Sequence, residues 1–419
     1  MIILLLILGL FPITSWPSPE NNSAETIAKQ LIPVYQELHR HPELSYQEEK
    51  TASLFASELK TLGFEVTTQF GGHGVVAILK NGKGSTVMLR TDLDALPVSE
   101  ATGLPYASVE KGVMHACGHD LHIANLIGVA KHLKDRNQEW RGTLILIGQP
   151  AEEKGGGANA MLKAGLFKKF PKPDFALALH ADGSKPVGKI TLNSGPTTAN
   201  VDSVDITMKG RGGHGARPQD TVDPIPMTSE LVLSLQTLIS REKDPSTPAV
   251  ISVGSFHSGT KHNIIPDTAT IQLTVRTFRV EDRKSILEGI KRKANAIAQA
   301  YGALPPEIRF SEDAVPSVYN DPSVVDRIRP ILAQVVGASN VISEAPWTVG
   351  EDFSRYGQEG VPSVMFSLGT LTEKRIKQYK KTGNIPSIHS STYYPSALES
   401  LSVGIPAMAS TAIELFKSK

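Results

Sequence analysis

A single cysteine, Cys117, stands among 419 residues, so no intramolecular disulfide can hold this chain together. An excess of one charge is missing too: 43 Lys and Arg against 42 Asp and Glu leave a net charge of +1. The basic clusters are short and interrupted, as in KRIKQYKK at 374–381. Nothing in this balance predicts binding to nucleic acid or to a membrane surface. Long apolar runs are absent with one exception, residues 2–11, which are too short to span a bilayer as a helix. Small and polar residues follow, so the run suits the core of a signal peptide spanning 1–20, although no Lys or Arg precedes it and no Ala-x-Ala site stands out. We expect an exported protein, periplasmic or secreted, with no stable membrane insertion after cleavage. A buried N-terminal strand is the alternative.

In an oxidising compartment a spare thiol is a hazard unless it is buried or metal-bound. Cys117 lies in Met-His-Ala-Cys-Gly-His-Asp, two residues from His119, with His115, Asp120 and His122 close by. That density of soft and borderline ligands suggests a metal-bound thiolate. The plainer alternative is a buried cysteine beside structural histidines.

The chain has room for two or three domains and a large core. Its first half alternates helical and apolar strand-like segments: a helix over 24–39, strands over 86–90, 143–147 and 175–179, and a helix over 121–133. This order predicts an α/β fold, a mostly parallel sheet with helices on both faces. From about residue 200 the texture changes to β-α-β-β-α-β, the order of a ferredoxin-like domain. The α/β pattern then resumes, with a strand over 364–367 and a final helix from 396. We therefore expect a catalytic domain (21–199 and 313–419) interrupted by an inserted domain at 200–312.

Polar residues gather just past the apolar strands, where open α/β sheets place their active sites. Asp92 with Asp94, Cys117 with His119, Glu152 with Glu153, and His180 each follow a strand or open a helix; His389 lies in Ser-Ile-His-Ser-Ser-Thr-Tyr-Tyr-Pro. A lone strand-end histidine is more often structural, but four such groups at the ends of one sheet exceed chance. Thiolate, imidazole and carboxylate together suit Zn²⁺ or a related divalent ion. Consecutive residues in extended backbone point opposite ways, so one of Glu152 and Glu153 could hold metal while the other faces a water and takes its proton. The run Gly155-Gly156-Gly157 lacks the Gly-Lys-Ser/Thr ending of a phosphate loop.

With these residues in place, the chain resembles the two-metal amidohydrolases and peptidases of the aminoacylase and carboxypeptidase type. Within them it is most similar to the branch of hippurate hydrolase, the N-acyl-L-amino-acid amidohydrolases and the auxin-conjugate (IAA-amino acid) hydrolases. The matching segments run in order nearly end to end: HRHPELSYQE at 39–48, LRTDLDALPV at 89–98, HACGHDLHIA at 115–124, QPAEEKGGGA at 149–158, GRGGHGARP at 210–218, KHNIIPDTA at 261–269, VRTF at 275–278 and GEDFS at 350–354.

The resemblance implies that Cys117, His119, Glu153, His180 and His389 are metal ligands, with Cys117 bridging two divalent ions. Zn²⁺ or Mn²⁺ are expected, with Co²⁺ or Ni²⁺ as alternatives. It makes Glu152 the general base and Asp92 and Asp94 supporting residues. His214 would reach the substrate carbonyl oxygen from the inserted domain, in a homodimer built through that domain. Asn263 and Arg276 would hold the carboxylate of the amino-acid half. Leu121 and Ile123 stand where the family usually has Gly and Thr, Gln219 where His is frequent, Thr348-Val349 where Met is usual, and Ser391 where Pro often occurs. No ligand position is replaced, so these departures bear on substrate preference and not on metal chemistry. The expected activity is cleavage of N-acyl amino acids to a carboxylate and a free amino acid. A dipeptidase or carboxypeptidase with the same machinery is the alternative, and a non-catalytic binding protein on the same fold is the rival from another class.

Overall fold

The computed structural model describes residues 19–311, 314–383 and 385–418; the expected signal segment at 1–20 lies outside them except for its last two residues. The apolar segments of the first half and of the C-terminal part join in one eight-stranded mixed sheet. Its centre is parallel: Thr86–Asp92 pairs with Gly142–Gln149 and with Phe175–Pro186, and the latter pairs with Ser363–Leu371. Antiparallel pairings flank this centre, made by Val75–Asn81 on one side and Ile190–Thr191 on the other.

Successive side chains of a strand go to opposite faces. Val87, Leu89, Leu144, Leu146, Leu177 and Leu179 enter one core, shared with the helices Pro19–Arg40, Glu49–Thr61, His119–Asp135 and Ala397–Phe416. Met88, Ile145, Ile147, Ala176 and Ala178 enter a second core on the other face, with Met161, Phe353 and Tyr356. Both faces are covered, which is why these strands read as unbroken apolar runs. The strand expected over 175–179 continues to Pro186. Its ladder with Ser363–Leu371 runs on through Ser367 opposite His180 and Leu368 opposite Ala181, so His180 lies inside a strand and not after one.

The inserted unit is a four-stranded antiparallel sheet of Asn200–Lys209, Ala249–Ser258, Thr268–Thr277 and Leu304–Phe310, in the spatial order second, third, first, fourth. The helices Pro224–Thr237 and Val280–Ala300 complete the ferredoxin-like β-α-β-β-α-β order. Asp223 caps the first of them by accepting the Ile225 N–H, and Pro224 fills the first helical position, where no N–H is required. Val204, Ile206, Met208, Ile271, Leu273 and Val275 pack against Met227, Leu231, Leu235, Ile286 and Ile290. Both helices thus cover one face of this sheet; the alternate residues, among them Val201, Ser203 and Arg276, are on the other.

Candidate active site

The parallel strands bring their C-terminal ends to one margin of the large sheet. Asp92 ends its strand there, with one carboxylate oxygen 2.7 Å from His122 Nδ1 and the other accepting from Arg90 Nη1 at 2.6 Å. His119 opens its helix behind Gly118, whose φ of +85° and close approach to Ala181 suit a residue without a side chain. His119 Nδ1 donates to the Asp94 carbonyl at 2.8 Å, and His180 Nδ1 to the Ala181 carbonyl at 2.8 Å. With both Nδ1 atoms engaged by carbonyls, Nε2 is the nitrogen each ring turns toward the centre and the one that can hold a metal.

Glu152 and Glu153 depart from the expected extended backbone. Glu152–Lys154 forms one 3₁₀ turn, bracketed by Ala151 at φ +49° and Gly155 at φ +64°. Contacts distant in sequence impose it. The Asp94 carboxylate accepts the N–H of Glu152 at 3.1 Å and of Glu153 at 3.0 Å, and Ser45 Oγ holds that carboxylate at 2.6 Å. Glu48 accepts the Ala151 N–H at 2.7 Å. Behind the turn, a Cβ on Gly157 would fall 1.5 Å from the Pro150 carbonyl oxygen, so glycine alone fits. Both carboxylates come to the same side, where each offers an oxygen within 4.8 Å of a His119 ring nitrogen.

Cys117, His119 and His180 form one group with ligand atoms within 4.8 Å of one another, and Cys117, Glu153 and His389 form a second. His180 Nε2 lies 3.6 Å from Cys117 Sγ; His389 Nε2 lies 3.3 Å from the same sulfur and 3.5 Å from Glu153 Oε1. His389 reaches in from a residue at φ +68° whose N–H bonds to the Ala116 carbonyl. His119 Nε2 and Glu153 Oε1 are buried without a hydrogen-bond partner, 3.8 Å apart. Buried lone pairs are ordinarily satisfied. Cys117 and Glu153 raise His389 from 6.5 to about 10; burial would lower His119, but Asp92 and Cys117 raise it well above its ordinary value. This centre therefore attracts positive charge, and its donors fit a divalent cation of the zinc type.

Glu152 is buried, and its carboxyl is held well above the usual range by burial first, then by Glu351 and Glu153. Glu351 and Asp352 flank it, tied to the buried Arg90 at 3.0 and 3.2 Å. Sequence reasoning placed His122 only in the ligand-rich cluster around Cys117 and assigned no role to Arg90, Glu351 or Asp352. The signals were present: an arginine interrupting the apolar strand Thr86–Asp92, and an acidic pair inside the matching segment GEDFS.

A cavity of about 520 Å³ opens in front of Glu152, Glu153 and His389, walled by Val201, Arg276, Val315 and Val349. Arg276 is thus brought to the site, where Nη1 lies 3.5 Å from the Thr348 carbonyl. His214 and Asn263 are not. They belong to a short ladder in which Ile264 lies opposite His214 and the Gly215 N–H bonds to the Asn263 carbonyl; both side chains are exposed and neither lines the cavity.

The chain is similar to known proteins over most of its length. The chain is 39% identical over 358 residues to thermostable carboxypeptidase 1 of Saccharolobus solfataricus, covering 84% of this chain and 89% of that one. It is 41% identical over 323 residues to hippurate hydrolase of Campylobacter jejuni, covering 76% and 82%. A Bacillus subtilis structure, described as a dinuclear metal binding peptidase from the M20 family, superposes with a TM-score of 0.78 at 32% identity, covering 94% and 100% of the two chains. Residues 88–409 match the sequence model of one family, and the chain belongs to it: Peptidase family M20/M25/M40.

Proposed function

We propose that this protein is a metal-dependent amidohydrolase that cleaves N-acyl amino acids to a carboxylate and a free amino acid. One observation carries the reading. Glu152, a buried carboxyl with a raised pKa, shares a cavity with Glu153 and His389 at a centre built to hold cations. Cys117, His119, Glu153, His180 and His389 would hold two divalent ions, Zn²⁺ or Mn²⁺, with Asp92 and Asp94 as supporting residues. When bound, the ions supply Lewis acidity toward a water and a carbonyl. Glu152 then takes the proton of the attacking water and returns it to the leaving nitrogen. The burial and the neighbouring Glu351 and Glu153 that raise its pKa favour the proton-holding form, as a group that accepts a proton requires. Arg276 anchors the carboxylate of the amino-acid half, and Asn263, which does not line this cavity, would join it from a second subunit. The names of the relatives, hippurate hydrolase and N-acetyl-L-cysteine deacetylase, support an N-acyl amino acid as substrate.

A second reading, carboxypeptidase or dipeptidase, is favoured by the relatives named thermostable carboxypeptidase. It uses the same residues and differs only in the acyl half. Turnover of N-benzoyl and N-acetyl amino acids against a dipeptide panel separates the two. Chelation should abolish activity, and Zn²⁺, Mn²⁺, Co²⁺ or Ni²⁺ should restore it. Full activity in a verified metal-free sample would rule out the whole reading.

Two further features belong to the proposal. The apolar run at 2–11, outside the described residues, supports export. Among the described residues no helix is long and apolar enough to cross a membrane. The inserted unit at 200–312 is proposed as lid and dimerisation surface, because His214 and Asn263 are exposed within their own chain and a homodimer would give them a site to complete.

A further inference from the structure

The helix-free face of the inserted sheet contributes one wall of the cavity that holds Glu152. Register sets a row across that face. Val250 lies opposite Arg276, and Arg276 opposite Val201. Val201 lies opposite Val315, through reciprocal N–H to carbonyl bonds of 2.8 and 3.0 Å. Directly opposed residues on antiparallel strands place their side chains on one face, about 5 Å apart. Val201 is thus one strand from Arg276, and Val315 two. Arg276, Val201 and Val315 line the same cavity as Glu152 and Glu153. Gly350 closes over the row, where an added Cβ would come within 2.9 Å of a Val201 methyl. Among the described residues no carboxylate pairs with Arg276; its one partner is the Thr348 carbonyl.

We propose that Val201 and Val315 form the subsite for the side chain of the substrate's amino-acid half, and that they select uncharged aliphatic side chains such as leucine over charged ones. The inference rests on the N-acyl amino acid reading above. A substrate held by its carboxylate on Arg276 has its Cα one bond beyond that carboxylate, so its side chain covers the next residues of the row. These are two β-branched apolar groups. A leucine side chain gains buried contact there, whereas a charged side chain loses water against the two valines and would have to turn from them to other lining residues, among them Lys154, Ser203 and Ser311, to find a partner.

The test uses the metal-loaded full chain with N-acetyl-leucine, N-acetyl-alanine and N-acetyl-aspartate, and calorimetric binding of free L-leucine and L-aspartate. The wild type should prefer the leucine substrate to the aspartate one by tenfold or more, on the order of what one or two methylene contacts discriminate. Val201→Thr and Val315→Thr keep the shape and exchange one methyl for a hydroxyl. Each should lower the leucine-to-alanine ratio of kcat/KM by about tenfold, with the fold checked by melting temperature. The two sites make the test robust to failure of either variant to fold. An unchanged ratio in a folded variant overturns the subsite. If no N-acyl amino acid is hydrolysed, yet L-leucine binds in preference to L-aspartate and loses that preference in the variants, the hydrolase reading falls and the subsite stands.

Discussion

Glu152 and Glu153 are adjacent, chemically identical and differently placed. Glu152 is buried near Glu351 and Asp352, which disfavour its charge; Glu153 faces His119 and His389. The proposed division of labour, Glu152 as base and Glu153 as ligand, rests on that contrast. Glu152→Gln should leave metal content intact and lower turnover about 10²–10⁴-fold, the usual scale for a lost acid–base group. Glu153→Gln should lose metal. Metal analysis beside kcat checks both, and swapped phenotypes would reverse the assignment. That the carboxylates at 152 and 153 are candidates for the chemistry was legible in the sequence, because they follow an apolar strand. Which one takes which part came only from the family resemblance and not from the local residue pattern, since the 3₁₀ turn that aims them is made by Asp94, Glu48 and Ser45.

At the scale of elements, the end of the Pro19–Arg40 helix is locked to the start of His119–Asp135 by one histidine. His39 is fully buried, 2.6 Å from Asp120 and 3.2 Å from Glu100. Burial would lower its pKa, but hydrogen bonds to Asp120 and Glu100 outweigh that and raise it from 6.5 to about 9. A group whose folded pKa lies above its unfolded one adds stability that is fully present below the unfolded value. The contribution, on the order of 3 kcal/mol, is lost as pH rises from about 6.5 through about 9. His39→Gln should therefore melt lower than wild type at pH 6, and the gap should narrow by pH 9.5. A gap that stays constant across that range would exclude the linkage. Helix 24–39 was readable from its apolar spacing. The lock was not, because its partners are 61 and 81 residues away.

For the whole molecule, the cavity is furnished from both parts of the chain: Glu152, Glu153 and His389 from the large unit, Arg276 and Val201 from the inserted one. His214 and Asn263 stay outside it. If a second subunit supplies them, two inactive variants should rescue each other. Glu152→Ala and His214→Ala, unfolded and refolded together, should give mixed dimers in which one site carries both defects and the other none. Activity should return to about a quarter of the wild-type level for random pairing, where half the dimers are mixed and each has one intact site. Mixed dimers that form and remain inactive would place His214 in its own chain's chemistry or outside catalysis.

What the sequence alone determined is what local composition encodes. Strands covered on both faces are largely apolar, so the segments 86–90, 143–147 and 175–179 announce themselves. Cation ligands must be thiolates, imidazoles or carboxylates, so Cys117, His119, Glu153, His180 and His389 were legible as candidates. Tertiary structure alone decided how these groups are supported. Arg90 meets Glu351 and Asp352 across 261 and 262 residues, the Asp94 carboxylate aims the Glu152 turn, and strand register sets Arg276, Val201 and Val315 in one row. Each depends on pairing between distant segments, and a shift of one residue in register would turn the Arg276 row to the opposite face. No local pattern of residues records such a choice.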